Sequence, residues 1–211
     1  MFWCGGVILK ADTILTAAHC TDGRSKWEIS VVVGSYDRWN WGEWWTRGRR
    51  WKRVKSMIEH PDFDGLARND VAIIKLTSPV KFNKYIQPMP RLANSSMDFM
   101  NRTCYVTGWG YTSGQAGSTA RVLQQLNTPV IPNAECQDNI LVNYTVTDDM
   151  ICTDSEPKNT CYGDSGGPLQ CSINNVWVHA GLVSWGNIDC RVGPSVYAST
   201  AVFIDWILSQ L

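Results

Sequence analysis

Apolar residues come along this chain in short runs set apart by turns, not in the long stripes that helices need. Residues 27–33, Trp-Glu-Ile-Ser-Val-Val-Val, predict a strand that stops at Gly34, and further strands are predicted over residues 54–58 and 71–76. Pro88, Pro90 and the polar run 94–101 then mark a crossing between two lobes. The second half repeats the pattern at residues 104–109, 123–130 and 177–185, with turns rich in Gly, Asn and Pro. Short strands at this spacing argue for antiparallel barrels and against βαβ units. Two places break the rule: Pro132-Asn133-Ala134-Glu135-Cys136 can start a short helix, and residues 201–208 carry apolar positions at helical spacing, a packed terminal helix.

One stretch stands apart, Cys161-Tyr162-Gly163-Asp164-Ser165-Gly166-Gly167-Pro168. Glycines on both sides of a serine let the backbone turn sharply, present the hydroxyl and aim nearby N–H groups at one point. A glycine-rich turn with an incidental serine would look the same, so a base and an orienting acid must be sought. The chain has three histidines. His19 follows small residues and precedes a cysteine in Thr16-Ala17-Ala18-His19-Cys20; His60 precedes Pro61 at a strand-to-loop exit; His179 alternates with apolar residues as on a sheet. Asp70 heads the apolar run Val71-Ala72-Ile73-Ile74-Lys75-Leu76, where a charge needs a specific partner.

Thr-Ala-Ala-His-Cys, Asp-Val-Ala-Ile-Ile-Lys-Leu and Gly-Asp-Ser-Gly-Gly-Pro, in that order, resemble the motifs of the chymotrypsin-like serine peptidases. The resemblance runs from Phe2 to the terminal helix. It implies an all-β fold of two antiparallel six-stranded β-barrels with a C-terminal α-helix, here lacking the first strand. Residues 1–92 would form the N-terminal barrel, 93–103 the crossing segment, 104–200 the second barrel and 201–211 the helix, in one peptidase domain. It further implies a serine endopeptidase with His19, Asp70 and Ser165 as catalytic residues, and Gly163 and Ser165 N–H groups as the oxyanion hole. Asp164 is the implied activation acid, the partner of an α-ammonium formed on cleavage of a zymogen. Met1 reads as an internal methionine of a longer chain, with a natural short form of little activity as the alternative.

The same resemblance places Asn159 on the floor of the primary pocket, Gly186 on its wall and Ser195 deep on the opposite wall. Ser184-Trp185-Gly186 would be the strand that pairs with the substrate backbone. An uncharged floor disfavours Arg and Lys, so cleavage after Leu, Met, Phe or Tyr is expected; Asp189 near the rim is a lesser attraction for a basic residue. A catalytically silent homologue acting as a binding or decoy protein is the competing reading.

Composition adds the setting. Nineteen basic and nineteen acidic residues cancel, so no global field recruits nucleic acid. No apolar run is long enough to span a bilayer. Eight cysteines without a Cys-x-x-Cys spacing favour disulfides in an oxidising compartment over zinc, and hence secretion. The resemblance selects the pairs Cys4–Cys20, Cys104–Cys171, Cys136–Cys152 and Cys161–Cys190. Asn94, Asn101 and Asn143 open glycosylation acceptor triplets. No cofactor or metal is expected, and Glu43 alone is not a calcium site. The expected partners are protein or peptide substrates and protein inhibitors of a monomer. Residues 38–53 interleave five tryptophans with six arginines and lysines; the simplest reading is a surface loop and strand edge whose arginines cover its own rings, and the other is an exosite that stacks on aromatic or anionic partners through cation–π pairs and phosphate or sulfate contacts.

Overall fold

The short apolar runs become two antiparallel sheets. The computed structural model describes residues 3–100, 102, 104–112 and 119–211. The first sheet contains β1 (Val7–Lys10), β2 (Thr13–Thr16), β3 (Ser30–Val33), β4 (Arg50–Glu59) and β5 (Ala72–Leu76), ordered β1-β2-β5-β4-β3. The second contains β6 (Cys104–Gly108), β7 (Gln124–Thr128), β8 (Val130–Ile131), β9 (Met150–Thr153), β10 (Pro168–Ile173), β11 (Val176–Gly186) and β12 (Ser195–Ser199), ordered β7-β6-β10-β11-β12-β9-β8. Helices are few: α1 (Glu43–Thr46), α2 (Asn133–Asn139) and α3 (Thr200–Ser209).

The predicted strand over residues 123–130 is divided, and Pro129 is the reason. Proline has no N–H to give a ladder, so pairing stops there. On one side of the break β7 pairs with β6, and on the other β8 pairs with β9. One continuous stretch therefore lies at both ends of the strand order and closes the second sheet into a barrel. Residues 27–29 also depart from prediction: Trp27 and Glu28 belong to a turn in which Glu28 N–H donates to Ser25 O at 2.9 Å, and β3 begins only at Ser30.

The lobes meet through an apolar layer of Leu15, Val71, Ile73, Leu182, Phe203 and Ile207, contributed by β2, the start of β5, β11 and α3. Side chains of this size each contribute about 1.5–3 kcal/mol on full burial. Residues 89–93 bond to both sheets by backbone: Met89 N–H donates to Ile8 O at 2.8 Å, while Arg91 O accepts from His179 N–H and Ala93 N–H donates to His179 O, both at 2.9 Å. Four disulfides, Cys4–Cys20, Cys104–Cys171, Cys136–Cys152 and Cys161–Cys190, leave no free cysteine.

His179 sits fully buried on β11 with Nδ1 bonded to Thr200 Oγ1 at 2.7 Å, and Nε2 has no partner among the described residues. Burial pushes its pKa down to about 3 from 6.5, so the folded protein holds it neutral. The stabilising contribution is present above about pH 6.5, where the unfolded chain is neutral too, and is lost as pH falls towards 3 because only the unfolded chain takes up the proton. Urea unfolding between pH 6.5 and 4 should show stability falling by up to about 1.4 kcal/mol per pH unit from this group. His179→Leu should flatten that slope; an unchanged slope would contradict the assignment.

Candidate active site

β2 runs out at Thr16 into Ala17 and a 3₁₀ turn at Ala18–Cys20. Ala17 and Ala18 are fully buried, which only small side chains allow at this depth, and the Cys4–Cys20 bond anchors the turn. It carries His19 to the head of β5, where Asn69 at φ 54° redirects the chain and places Asp70 at 0% exposure. The Asp70 carboxylate accepts three bonds: from His19 N–H at 2.9 Å, His19 Nδ1 at 2.7 Å and Ser184 Oγ at 2.5 Å. An ionised carboxylate only accepts, so Nδ1 carries the proton and Nε2 is left with its lone pair. His19 and Asp70 come from the first sheet and Ser184 from the second.

The serine loop is built by turns. Asp164 N–H donates to Cys161 O and Gly167 N–H to Asp164 O, both at 2.9 Å, with Gly163 at φ 98° and Gly166 at φ 70°. Gly5 N–H donates to Ser165 O at 2.7 Å, which ties this loop to the segment beside Cys4. A Cβ on Gly166 would lie 2.2 Å from Thr16 Oγ1, and one on Gly5 2.8 Å from Gly167 Cα, so the two glycine pairs interlock. The N–H groups of Gly163 and Ser165 have no acceptor among the described residues. No hydrogen bond joins Ser165 Oγ to His19 Nε2 among the described residues; Nε2 lies 3.8 Å from Cys20 Sγ.

Asp164 points the other way, into a cradle of Gly108 and Gly110, where a Cβ would come within 1.9 Å and 2.4 Å of its carboxylate oxygens. Gly110 N–H donates to Oδ1 at 2.8 Å and Cys161 N–H to Oδ2 at 3.0 Å. Burial raises its pKa, opposed by those two bonds.

The trypsin family model matches residues 1–207 of this chain. The chain belongs to the trypsin family of serine peptidases. A tryptase from Mus musculus is 34% identical over 226 residues, spanning 98% of this chain and 78% of the relative.

Within this trypsin-family chain the residues expected to line the primary pocket are bonded around the start of β12. Asn159 donates through Nδ2 to Gly193 O at 2.6 Å, and Ser195 Oγ accepts from Thr160 N–H at 3.2 Å and Thr160 Oγ1 at 2.9 Å. Gly186 is Ser195's partner across the β11–β12 pair. Trp185 stacks at a tilt on Tyr144, ring centroids 5.5 Å apart, and its buried Nε1 has no partner among the described residues. Asp189 is engaged at the exposed rim by Arg191, with Nε to Oδ1 and Nη2 to Oδ2 both at 3.1 Å, which lowers its pKa.

Four residues make contacts here that the sequence motifs do not announce. Ser184, expected to pair with the substrate backbone, also bonds Asp70 through its hydroxyl. Glu156, in the loop after β9, accepts from the N–H of Gly193, whose carbonyl Asn159 bonds. Gly108 and Gly110 form the acid's cradle, and their Gly-x-Gly spacing is the signal that could have found them. The sulfurs of Cys4 and Cys20 near His19 are bonded to each other, so that cluster offers one imidazole and no metal site of its own.

The raised Asp164 pKa has a definite sign. The folded state holds the proton more tightly, a stabilisation complete below about pH 3.8 and lost as pH rises through the folded-state value. The unfolding free energy of the wild type minus that of Asp164→Asn should therefore decline as pH rises from 3.8. A difference that grows with pH would show the carboxylate stabilised as an anion, and would contradict this assignment.

Proposed function

We propose that this chain is a serine endopeptidase working by acyl transfer at Ser165. The observation that carries the proposal is the bond from His19 Nδ1 to a water-excluded Asp70, which fixes the tautomer a general base needs. Ser165 Oγ attacks the scissile carbonyl carbon while its proton passes to His19 Nε2. The oxyanion gathers the free N–H groups of Gly163 and Ser165. The C–N bond then breaks, His19 returns the proton to the departing amine, and water repeats the sequence to release the acid. Asp70 stabilises the imidazolium formed between these steps.

The two sheets act as lobes of one peptidase domain, divided at residues 1–92, 93–103 and 104–200 with the helix from 201. Ser184, Trp185 and Gly186 take the substrate backbone alongside β11. Asn159 and Ser195 line a pocket without charge, and both side chains are already engaged by Gly193 and Thr160, which supports preference for Leu, Met, Phe or Tyr. Arg191 on Asp189 removes the rim charge as an attraction for basic residues. The disulfides and the exposed acceptors Asn94 and Asn143 support a secreted glycoprotein; Asn101 lies outside the described residues. Asp164, buried among N–H donors, is the acid that would receive an ammonium on zymogen activation. No helix among the described residues is long and apolar enough to cross a membrane.

The expected magnitudes are those of other Ser-His-Asp triads. Ser165→Ala and His19→Ala should each lower kcat by about 10⁶, and Asp70→Asn by about 10⁴, on a Leu or Phe anilide substrate. Ser165→Ala activity above a tenth of wild type would contradict the nucleophile assignment. Faster hydrolysis after Arg than after Leu or Phe would overturn the pocket reading while leaving the mechanism standing.

A further inference from the structure

The second barrel carries a polar cleft on its outer face. Side chains alternate along β6 and β10: Cys104, Val106, Leu169 and Cys171 pack into the core, while Tyr105, Thr107, Gln170 and Ser172 line the cleft. The register completes the lining, because Gln170 faces Tyr105, Gln125 of β7 faces Thr107, and Trp177 of β11 faces Ser172. Directly behind, the Cys104–Cys171 bond ties β6 to β10, so the floor is fixed before anything binds. The cleft holds ≈ 790 Å³, within the roughly 300–1,000 Å³ of small-molecule sites.

Its chemistry is neutral and hydrogen-bonding. Among the described residues Arg102 is the one charge in the lining, and no acid and no aliphatic side chain joins it. The side chains of Thr107, Gln125, Gln170 and Ser172 make no hydrogen bond to another described residue. Two amides and two hydroxyls therefore face the cleft with donors and acceptors both unused. Beside them Trp177, 42% exposed, meets Tyr105 edge to face, with ring centroids 5.6 Å apart and planes at 78°. The two rings form an aromatic corner next to the open polar groups.

We infer that this cleft binds a neutral oligosaccharide carried by another molecule. Every sugar hydroxyl both donates and accepts, as do the amides and hydroxyls that await it here. The C–H face of a pyranose is apolar and settles on an indole, while its rim stays polar, which is the division the aromatic corner and the glutamines make. A phosphate- or sulfate-bearing chain only accepts and needs several cations, which one arginine does not supply. A protein partner needs an apolar centre, and a lining without aliphatic side chains does not offer one. None of these residues belongs to the triad or its pocket, so the inference stands apart from the peptidase reading.

The test is an array of hexose and N-acetylhexosamine oligosaccharides, neutral and sulfated, probed with the labelled protein and followed by calorimetry on the strongest binder. Saturable binding to a neutral chain is expected, weakened at least about tenfold by Trp177→Ala and about fivefold by Gln125→Ala. Gln125 is exposed, so Gln125→Ala should keep the wild-type unfolding midpoint, which separates lost binding from lost fold. No saturable binding to any neutral chain would overturn the inference. So would binding that survives both substitutions, which would put the sugar elsewhere on the protein. Preference for sulfated chains, lost with Arg102→Ala alone, would overturn it in favour of an anion site. Binding that appears only after enzymatic removal of the protein's own N-glycans would overturn it too, in favour of a glycan of this chain as the occupant.

Discussion

A carboxylate shut away from water is held between two sheets, and the remainder of the site is arranged around keeping it there. Asp70 would be severely destabilising at 0% exposure without partners. Three donors meet it, two from His19 on its own lobe and one from Ser184 on the other. The apolar layer of Leu15, Val71, Ile73 and Leu182 sets the depth at which this happens, since Val71 adjoins the acid and Leu182 lies two residues before the serine that bonds it. Orientation of the imidazole is thus a by-product of solvating a buried charge. A backbone N–H, an imidazole and a hydroxyl each satisfy Asp70, and the only one free to move chemistry is the imidazole.

The serine loop obeys a different constraint, close approach of two backbones. Gly5 on one side and Gly166 and Gly167 on the other allow the first lobe's entry segment to bond Ser165 O directly. Asp164 turns away into its glycine cradle, and the N–H groups of Gly163 and Ser165 have no acceptor among the described residues. The same Trp109–Gly110 segment that holds Asp164 also bonds Tyr36 in the Trp-rich loop. The loop that carries Ser165 and the Trp-rich loop are therefore joined through this one segment.

Much of this was legible because each motif has a local physical cause. Small residues before His19, an acid at the head of an apolar run and glycines around a serine announce their geometry without tertiary information. The fold class was legible from short runs and turn residues, although the seven-strand order was not, because Pro129 interrupts a run that otherwise reads as one strand. Residues 27–29 look apolar enough for a strand, yet Trp27 is exposed in a turn that Ser25 and Glu28 close. Ser184 gave no hint of its bond to Asp70 because the partners are 114 residues apart. Glu43 escaped for a similar reason: a lone acid in a basic stretch looks solvated, and only the folded loop supplies the N–H groups that bury it.

If these contacts make Ser165 a nucleophile, one measurement should show it directly. A fluorophosphonate acylates a serine only where a base and an oxyanion hole are in place. Intact-mass and peptide-level spectra of the native protein after treatment should show one adduct, on Ser165, absent from His19→Ala. No adduct on native protein with its four disulfides formed would contradict the account and leave the catalytically silent homologue as the better description.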